Sequence, residues 1–250
     1  MTWRKLPTLA LTLLIPAISA CESQVSEEAS VRQAVPARTA AAPAPSRPAA
    51  DVPSNPQTNE PLVIFLGDSL TAGLGLAENQ AYPALLDRKL DEAGAPIRVL
   101  NAGVSGDTTA GGLSRLDWLL SQKPDVLVVG LGANDGLRAL PVDETEKNLR
   151  EIVRRAQAAG ARVLLLGMQI PPNYGPDYTR AFADLYPRIA EDLDVPLVPF
   201  LLDKVGGIRE LNLEDGIHPN AKGQEIVAEN VLPYLEALVE KKPAAVAVGP

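Results

Sequence analysis

A chain with a single histidine has few ways to move a proton near neutral pH. That residue is His218, and Asp215 stands three positions before it. Imidazole is the only side chain whose unperturbed pKa, roughly 6.5, lies in that range. A nucleophile for it to serve is suggested far upstream, where Leu62-Val63-Ile64-Phe65-Leu66 runs into Gly67-Asp68-Ser69. Five consecutive apolar residues read as a strand buried on both faces, as in a parallel sheet. Gly67 lets the backbone turn where the strand stops, and Ser69 then emerges at the strand's C-terminal edge. Open α/β sheets build their sites on that edge. A serine there is either a nucleophile or a turn and cap residue, and the stretch alone does not choose.

Acyl transfer by serine has three needs: a base for the hydroxyl proton, a carboxylate that fixes the base's tautomer, and preorganised donors for the oxyanion. His218 and Asp215 fit the first two, and one tight loop can hold both. For the third, Gly106 lies in Asn101-Ala102-Gly103-Val104-Ser105-Gly106-Asp107-Thr108-Thr109, and Asn134 in Gly130-Leu131-Gly132-Ala133-Asn134-Asp135-Gly136. Gly106 can present a backbone N–H with no Cβ in the way. Asn134 carries a side-chain amide. Each segment alone is as readily a turn or a helix cap, and a lone histidine is usually structural. The joint pattern carries more weight, because every candidate follows an apolar run or precedes a helix.

The elements that must position these residues alternate along the chain. Apolar runs at 62–66, 97–100, 125–131, 161–167 and 195–200 read as strands, the last interrupted by Pro196 and Pro199. Helical patterns fall near 80–93, 111–121, 142–159, 177–192 and 220–239. This alternation predicts a parallel sheet with helices on both faces. Asp143 and Glu146 read as a capping box opening the helix of Leu149, Ile152, Val153 and Ala156, and Gly160 as its stop. The domain spans 61–240, enough for one sizeable core.

Outside that domain the sequence reads as an address. Residues 1–20 have Arg4 and Lys5 at the start, a short apolar core from Leu9 to Ile18, and Ser19-Ala20 before the sole cysteine, Cys21. This is the pattern of a secretory signal, and the core is short of the about 20 residues of a spanning helix. Ile18-Ser19-Ala20-Cys21 resembles the bacterial lipobox, which implies a lipid anchor on Cys21, and Glu22 implies outer-membrane sorting. An exported, periplasm-facing protein is expected, tethered to a membrane or released as a soluble one. Residues 21–60, rich in Ala, Pro, Ser and Gln, read as a disordered linker, and 241–250 as a loose tail. The composition is that of a globular protein, with 46% hydrophobic and 22% charged residues in 250. A net charge of −8 does not favour a nucleic-acid partner. One cysteine excludes an intrachain disulfide, and one histidine leaves no Cys/His set at metal spacing. Neither a metal nor an organic cofactor is implied.

Four segments together resemble the blocks of the SGNH (GDSL) hydrolase family: Gly67-Asp68-Ser69-Leu70, Gly106 in Ser-Gly-Asp-Thr, Gly132-Ala133-Asn134-Asp135, and Asp215-x-x-His218. The match runs from about Pro61 to Leu238. It is closest to the arylesterase branch, with bacterial thioesterase I/lysophospholipase L1, because Gln169-Ile170-Pro171-Pro172-Asn173-Tyr174-Gly175 and 215–220 look like that branch's substrate and catalytic loops. The resemblance implies a flavodoxin-like three-layer α/β/α sandwich with strand order 2-1-3-4-5. It implies Ser69 as nucleophile, His218 as base oriented by Asp215, and an oxyanion hole from Ser69, Gly106 and Asn134. The Gly-x-Ser-x-Gly elbow of the α/β-hydrolases is absent, since Asp68 precedes the serine.

The expected activity is hydrolysis of carboxylic esters, acyl or aryl, with lipophilic esters, lysophospholipids and thioesters as candidate substrates. Leu74, Leu76, Ile170, Pro171 and Tyr174 either line the acyl group or pack the 168–178 loop. The loop near 203–214 is a second candidate wall. A carbohydrate O-deacetylase, an acyltransferase and a non-catalytic surface lipoprotein are the alternatives on the same fold. Gly73-Leu74-Gly75-Leu76-Ala77-Glu78 lacks the third glycine of a dinucleotide fingerprint and puts an acid there instead.

Overall fold

A computed structural model describes residues 60–240. The stretches expected to be signal, linker and tail, Cys21 among them, lie outside the described residues except for Glu60. Five strands form one all-parallel sheet: β1 (Leu62–Gly67), β2 (Arg98–Gly103), β3 (Val126–Gly130), β4 (Arg162–Leu166) and β5 (Leu197–Val198), in the order β2-β1-β3-β4-β5. This is the expected order. Every residue of β1 and β3 is buried, as their unbroken apolar runs require in a sheet covered on both faces.

Eight helices complete the described chain: α1 (Ser69–Ala72), α2 (Tyr82–Glu92), α3 (Thr109–Ser114), α4 (Leu116–Ser121), α5 (Ala133–Leu137), α6 (Val142–Ala158), α7 (Pro176–Leu193) and α8 (Ala221–Val239). α2 packs with α8, whereas α3 and α7 pack with α6, and both groups touch the sheet. The result is three layers, helices over and under the strands. In α6 the buried residues Thr145, Leu149, Ile152, Val153 and Ala156 fall three and four apart and face the core.

The structure corrects four local expectations. The helix near 142–159 has no capping box: Pro141 is its N-cap, so Asp143 already lies within the first turn. Acidic residues there still oppose the helix dipole favourably, and Glu146 pairs instead with Arg150 at 2.7 Å and Arg188 at 2.6 Å. The single helix expected at 111–121 is two, broken at Arg115. That guanidinium donates to the Ala102 and Gly67 carbonyls at 2.7 and 3.0 Å and pairs with Asp107 at 2.9 Å. It thereby ties together the C-terminal ends of β1 and β2. β5 is only two residues long, because Pro196 and Pro199 have no N–H for the ladder. Finally, α1 and α5 are too short to show a helical period, and both carry candidate site residues.

Candidate active site

Ser69 is placed by the abrupt end of β1. Asp68 N-caps α1, its Oδ1 accepting the Leu70 N–H at 3.0 Å, and Ser69 is the helix's first residue. Such a position leaves the Ser69 N–H without an intrahelical partner. The turn is tight. A Cβ on Gly103 would collide with the Ala72 backbone, so only glycine lets α1 sit against the end of β2.

His218 comes from the other end of the chain. Residues 211–220 fold back on themselves: Leu213 N–H donates to His218 O at 2.8 Å and Asn220 N–H to Leu211 O at 2.9 Å. Asp215 at the tip accepts the Ile217 and His218 N–H groups on Oδ1, both at 3.0 Å. Asn220 then caps α8 through the Lys222 and Gly223 N–H groups. The loop aims the ring at Ser69. Oγ of Ser69 lies 2.8 Å from His218 Nε2, and His218 Nδ1 lies 2.7 Å from Asp215 Oδ2.

Protonation follows from the partners. The Ile217 N–H, ahead of the other donors, holds the Asp215 carboxyl down at about 2 although desolvation pushes it up. An ionised Asp215 only accepts, so Nδ1 carries the imidazole proton and Nε2 is left to accept from the Ser69 hydroxyl. Asp68 behaves oppositely. Burial raises its carboxyl to about 6, although the Leu70 N–H, the nearby His218 and Asn134 all pull it down.

Asn134 is the second residue of α5, and its amide donates to Asp68 Oδ2 at 3.3 Å. One amide hydrogen is so engaged, and the other is free to serve a ligand. Gly106 lies in an exposed turn with φ +82°. Its carbonyl accepts from Arg138 at 2.8 Å, which leaves its N–H as the group available at that turn.

A cavity of about 450 Å³ opens beside these residues. Asp68, Ser69, Asn134 and His218 form its polar end. Ile170 and Pro171 line it, and so do Gly206, Gly207 and Asn212 of the 203–214 loop. Leu74, Leu76 and Tyr174 are not in the wall, nor is Gly106. The chain turns away at Gly73, φ +71°, and Leu74 is left on the surface. Tyr174 is held outward because its hydroxyl donates to Leu137 O at 2.8 Å. In their place stand Leu137, Met168, Phe200, Leu202 and Ile217, which come from four separate segments. Among the described residues, no group of three His, Cys, Asp or Glu side chains is placed to hold a metal ion.

The sequence and the fold are similar to those of known proteins. Residues 65–226 match the GDSL-like Lipase/Acylhydrolase family. The chain is 46% identical over 178 residues to Esterase TesA of Pseudomonas aeruginosa, covering 71% of this chain and 89% of that protein. It is 42% identical over 178 residues to the Thioesterase 1/protease 1/lysophospholipase L1 of Escherichia coli, with 71% and 84% covered. The crystal structure of the psychrotrophic esterase EstA from Pseudoalteromonas sp., inhibited by monoethylphosphonate, superposes with a TM-score of 0.69 at 36% identity, over 72% of this chain and 100% of that one.

Proposed function

The chain belongs to the GDSL-like lipase/acylhydrolase family, and from that premise we propose that it hydrolyses lipophilic carboxylic esters, lysophospholipids among them, through Ser69, His218 and Asp215. That it is an ester-hydrolysing enzyme follows from relatives that are an esterase, an arylesterase and a thioesterase/lysophospholipase. The residue roles rest on one observation above the others, the hydrogen-bonded line from Asp215 through His218 to Ser69 at 2.7 and 2.8 Å.

In the proposed reaction the ester carbonyl sits over Ser69. His218 Nε2 takes the hydroxyl proton as Oγ bonds to the carbonyl carbon, and Asp215 stabilises the cation that forms. The oxyanion is met by the Ser69 N–H, the Gly106 N–H and the free Asn134 amide hydrogen, donors fixed before reaction begins. His218 returns its proton to the departing alkoxide and the alcohol leaves. Water, deprotonated by His218, then attacks the acyl-serine, and collapse of the second intermediate releases the acid and restores Ser69.

The cavity's wall supports an apolar acyl or aryl group. So does the molecule's surface. Of the seven exposed large apolar side chains among the described residues, six (Leu74, Val104, Leu137, Leu140, Ile208 and Ile217) lie on segments that follow the C-terminal ends of strands. p-Nitrophenyl esters from acetate to palmitate, with lysophosphatidylcholine and an acetylated sugar, test the substrate class. We expect kcat/KM to rise from acetate to a longer acyl group. The highest value on the acetylated sugar would replace this reading with O-deacetylation.

The proposal extends to the address. A signal at 1–20 and an acyl chain on Cys21 would tether the catalytic domain to a membrane that supplies lipid esters. Cys21→Ser should move the enzyme from the membrane fraction to the soluble one with kcat/KM on a soluble ester unchanged. Retention in the membrane fraction would rule the Cys21 anchor out.

A further inference from the structure

α5 holds Asn134, yet at five residues it is little more than one turn. A helix that short has no stability of its own, so its neighbours must set its position. On one side Asp135, almost wholly buried, accepts from the Thr109 N–H at 2.9 Å and the Thr109 hydroxyl at 2.6 Å. On the other side stands α7 with its preceding turn.

That side presents four aromatic rings spaced four residues apart, Tyr174, Tyr178, Phe182 and Tyr186. Residues at this spacing share one helix face, and successive ring centroids are 6.4, 6.3 and 5.8 Å apart. All three tyrosines donate to carbonyls of the single segment that carries Asn134. Tyr186 reaches Leu131 O at 3.0 Å, Tyr174 reaches Leu137 O at 2.8 Å, and Tyr178 reaches Leu140 O at 2.6 Å. Leu131 and Leu137 lie three residues either side of Asn134. Between these bonds α5 lies flat on the rings. A Cβ on Gly136 would press into Phe182 and Ile170, and one on Gly132, where φ is +113°, into the Tyr186 hydroxyl.

We propose that the Tyr174–Tyr178–Phe182–Tyr186 ladder is a positioning device that holds α5 so that the Asn134 amide points at the oxyanion. The inference rests on the reading of Asn134 as an oxyanion donor. The Asp68 contact alone, at 3.3 Å, is too long to fix the amide. The hydroxyls bracket the turn and stop it sliding along α7. Burial, the largest cause for each, raises the Tyr178 and Tyr186 phenols above their ordinary range, so both keep the proton they donate. Tyr174 and Tyr178 reach the surface, whereas Tyr186 is buried in the core. The two outer rungs can therefore lose their hydroxyls without opening a cavity.

The test uses the double variant Tyr174→Phe/Tyr178→Phe in the full chain, with and without Asn134→Ala. Active sites are counted by fluorophosphonate titration, so that kcat refers to competent molecules only. Removing an oxyanion donor costs about a hundredfold or more in kcat, and displacing one costs less, so we expect about a tenfold loss for the tyrosine pair. KM for p-nitrophenyl acetate should stay within about twofold, and the same pair should change kcat by less than about twofold once Asn134 is alanine. Lost packing alone would lower the count of active sites and the melting temperature but not kcat per site. If Asn134→Ala lowers kcat a hundredfold and the tyrosine pair leaves it unchanged, the ladder is overturned and the site reading stands. A tenfold loss that persists in the Asn134→Ala background also overturns it. If Asn134→Ala itself stays within about threefold of wild type, the oxyanion assignment fails and the ladder's role fails with it.

Discussion

Asp68 shows how much one residue does at this site. It caps the helix that begins at Ser69 with one oxygen and accepts a long hydrogen bond from the Asn134 amide with the other. Burial keeps its carboxyl at about 6, well above the ordinary carboxylate range. A raised acid costs stability on the alkaline side. Below about pH 4 the folded and unfolded chains both hold the proton, and there is no penalty. Between about pH 4 and 6 the unfolded chain releases it first, so folding is progressively disfavoured, by about 3 kcal/mol in full above pH 6. Asp68→Asn removes the titration. The unfolding free energy of Asp68→Asn relative to wild type should therefore rise by about 2 kcal/mol between pH 4 and pH 7 in urea titrations. Groups that do not face Asp68 cancel in that difference, and a value constant with pH would show that Asp68 ionises freely in the fold. Asp215 has the opposite sign. Held down at about 2 by the Ile217 N–H first, it is ionised wherever the imidazole can act as a base. What it stabilises is lost only as pH falls from about 4 through 2.

At the scale of elements, legibility follows the length of the pattern. The strands of 62–66 and 125–131 and the helices of 142–159, 177–192 and 220–239 can be read from the chain to within a residue or two. Each buries a face long enough to impose its period. α1 and α5 cannot be read that way, since four or five residues hold no period and distant packing places them. The break at Arg115 is equally hidden, because its cause lies in carbonyls of β1 and β2, 48 and 13 residues away. The meeting of Ser69, Asp215 and His218 is legible, for a parallel sheet brings the ends of its strands to one edge. The cavity wall is less so. Ile170 and Pro171 reach it from a loop that its composition singles out. Phe200, Leu202 and Ile217 reach it only because the segments after β5 fold back to the cavity that Ser69 lines. The tyrosine ladder has a visible spacing of four, but that spacing alone cannot distinguish a core stripe from a positioning one. Its partners, 37 to 55 residues upstream, supply the distinction.

At the scale of the whole molecule, one sheet edge concentrates what the rest of the fold leaves inert. β1, β3 and β4 lie wholly or almost wholly in the core, and the segments leaving the strands' C-terminal ends carry Ser69, His218, Asn134, the cavity and most of the exposed large apolar side chains. The buried sheet fixes where those segments begin, and short links such as the Arg115 guanidinium fix how they lie against each other. A site assembled from both ends of a chain, with the serine and the histidine 149 residues apart, needs such a frame to hold its hydroxyl 2.8 Å from a base. The central claim is that this hydroxyl is an activated nucleophile. The direct measurement is reaction of the full-length protein with a fluorophosphonate, followed by mass mapping of the labelled peptide. The account predicts one label per chain on Ser69, none on Ser69→Ala, and much slower labelling of His218→Ala. A label on another residue, an undiminished label on Ser69→Ala, or no label on the wild-type protein would contradict it.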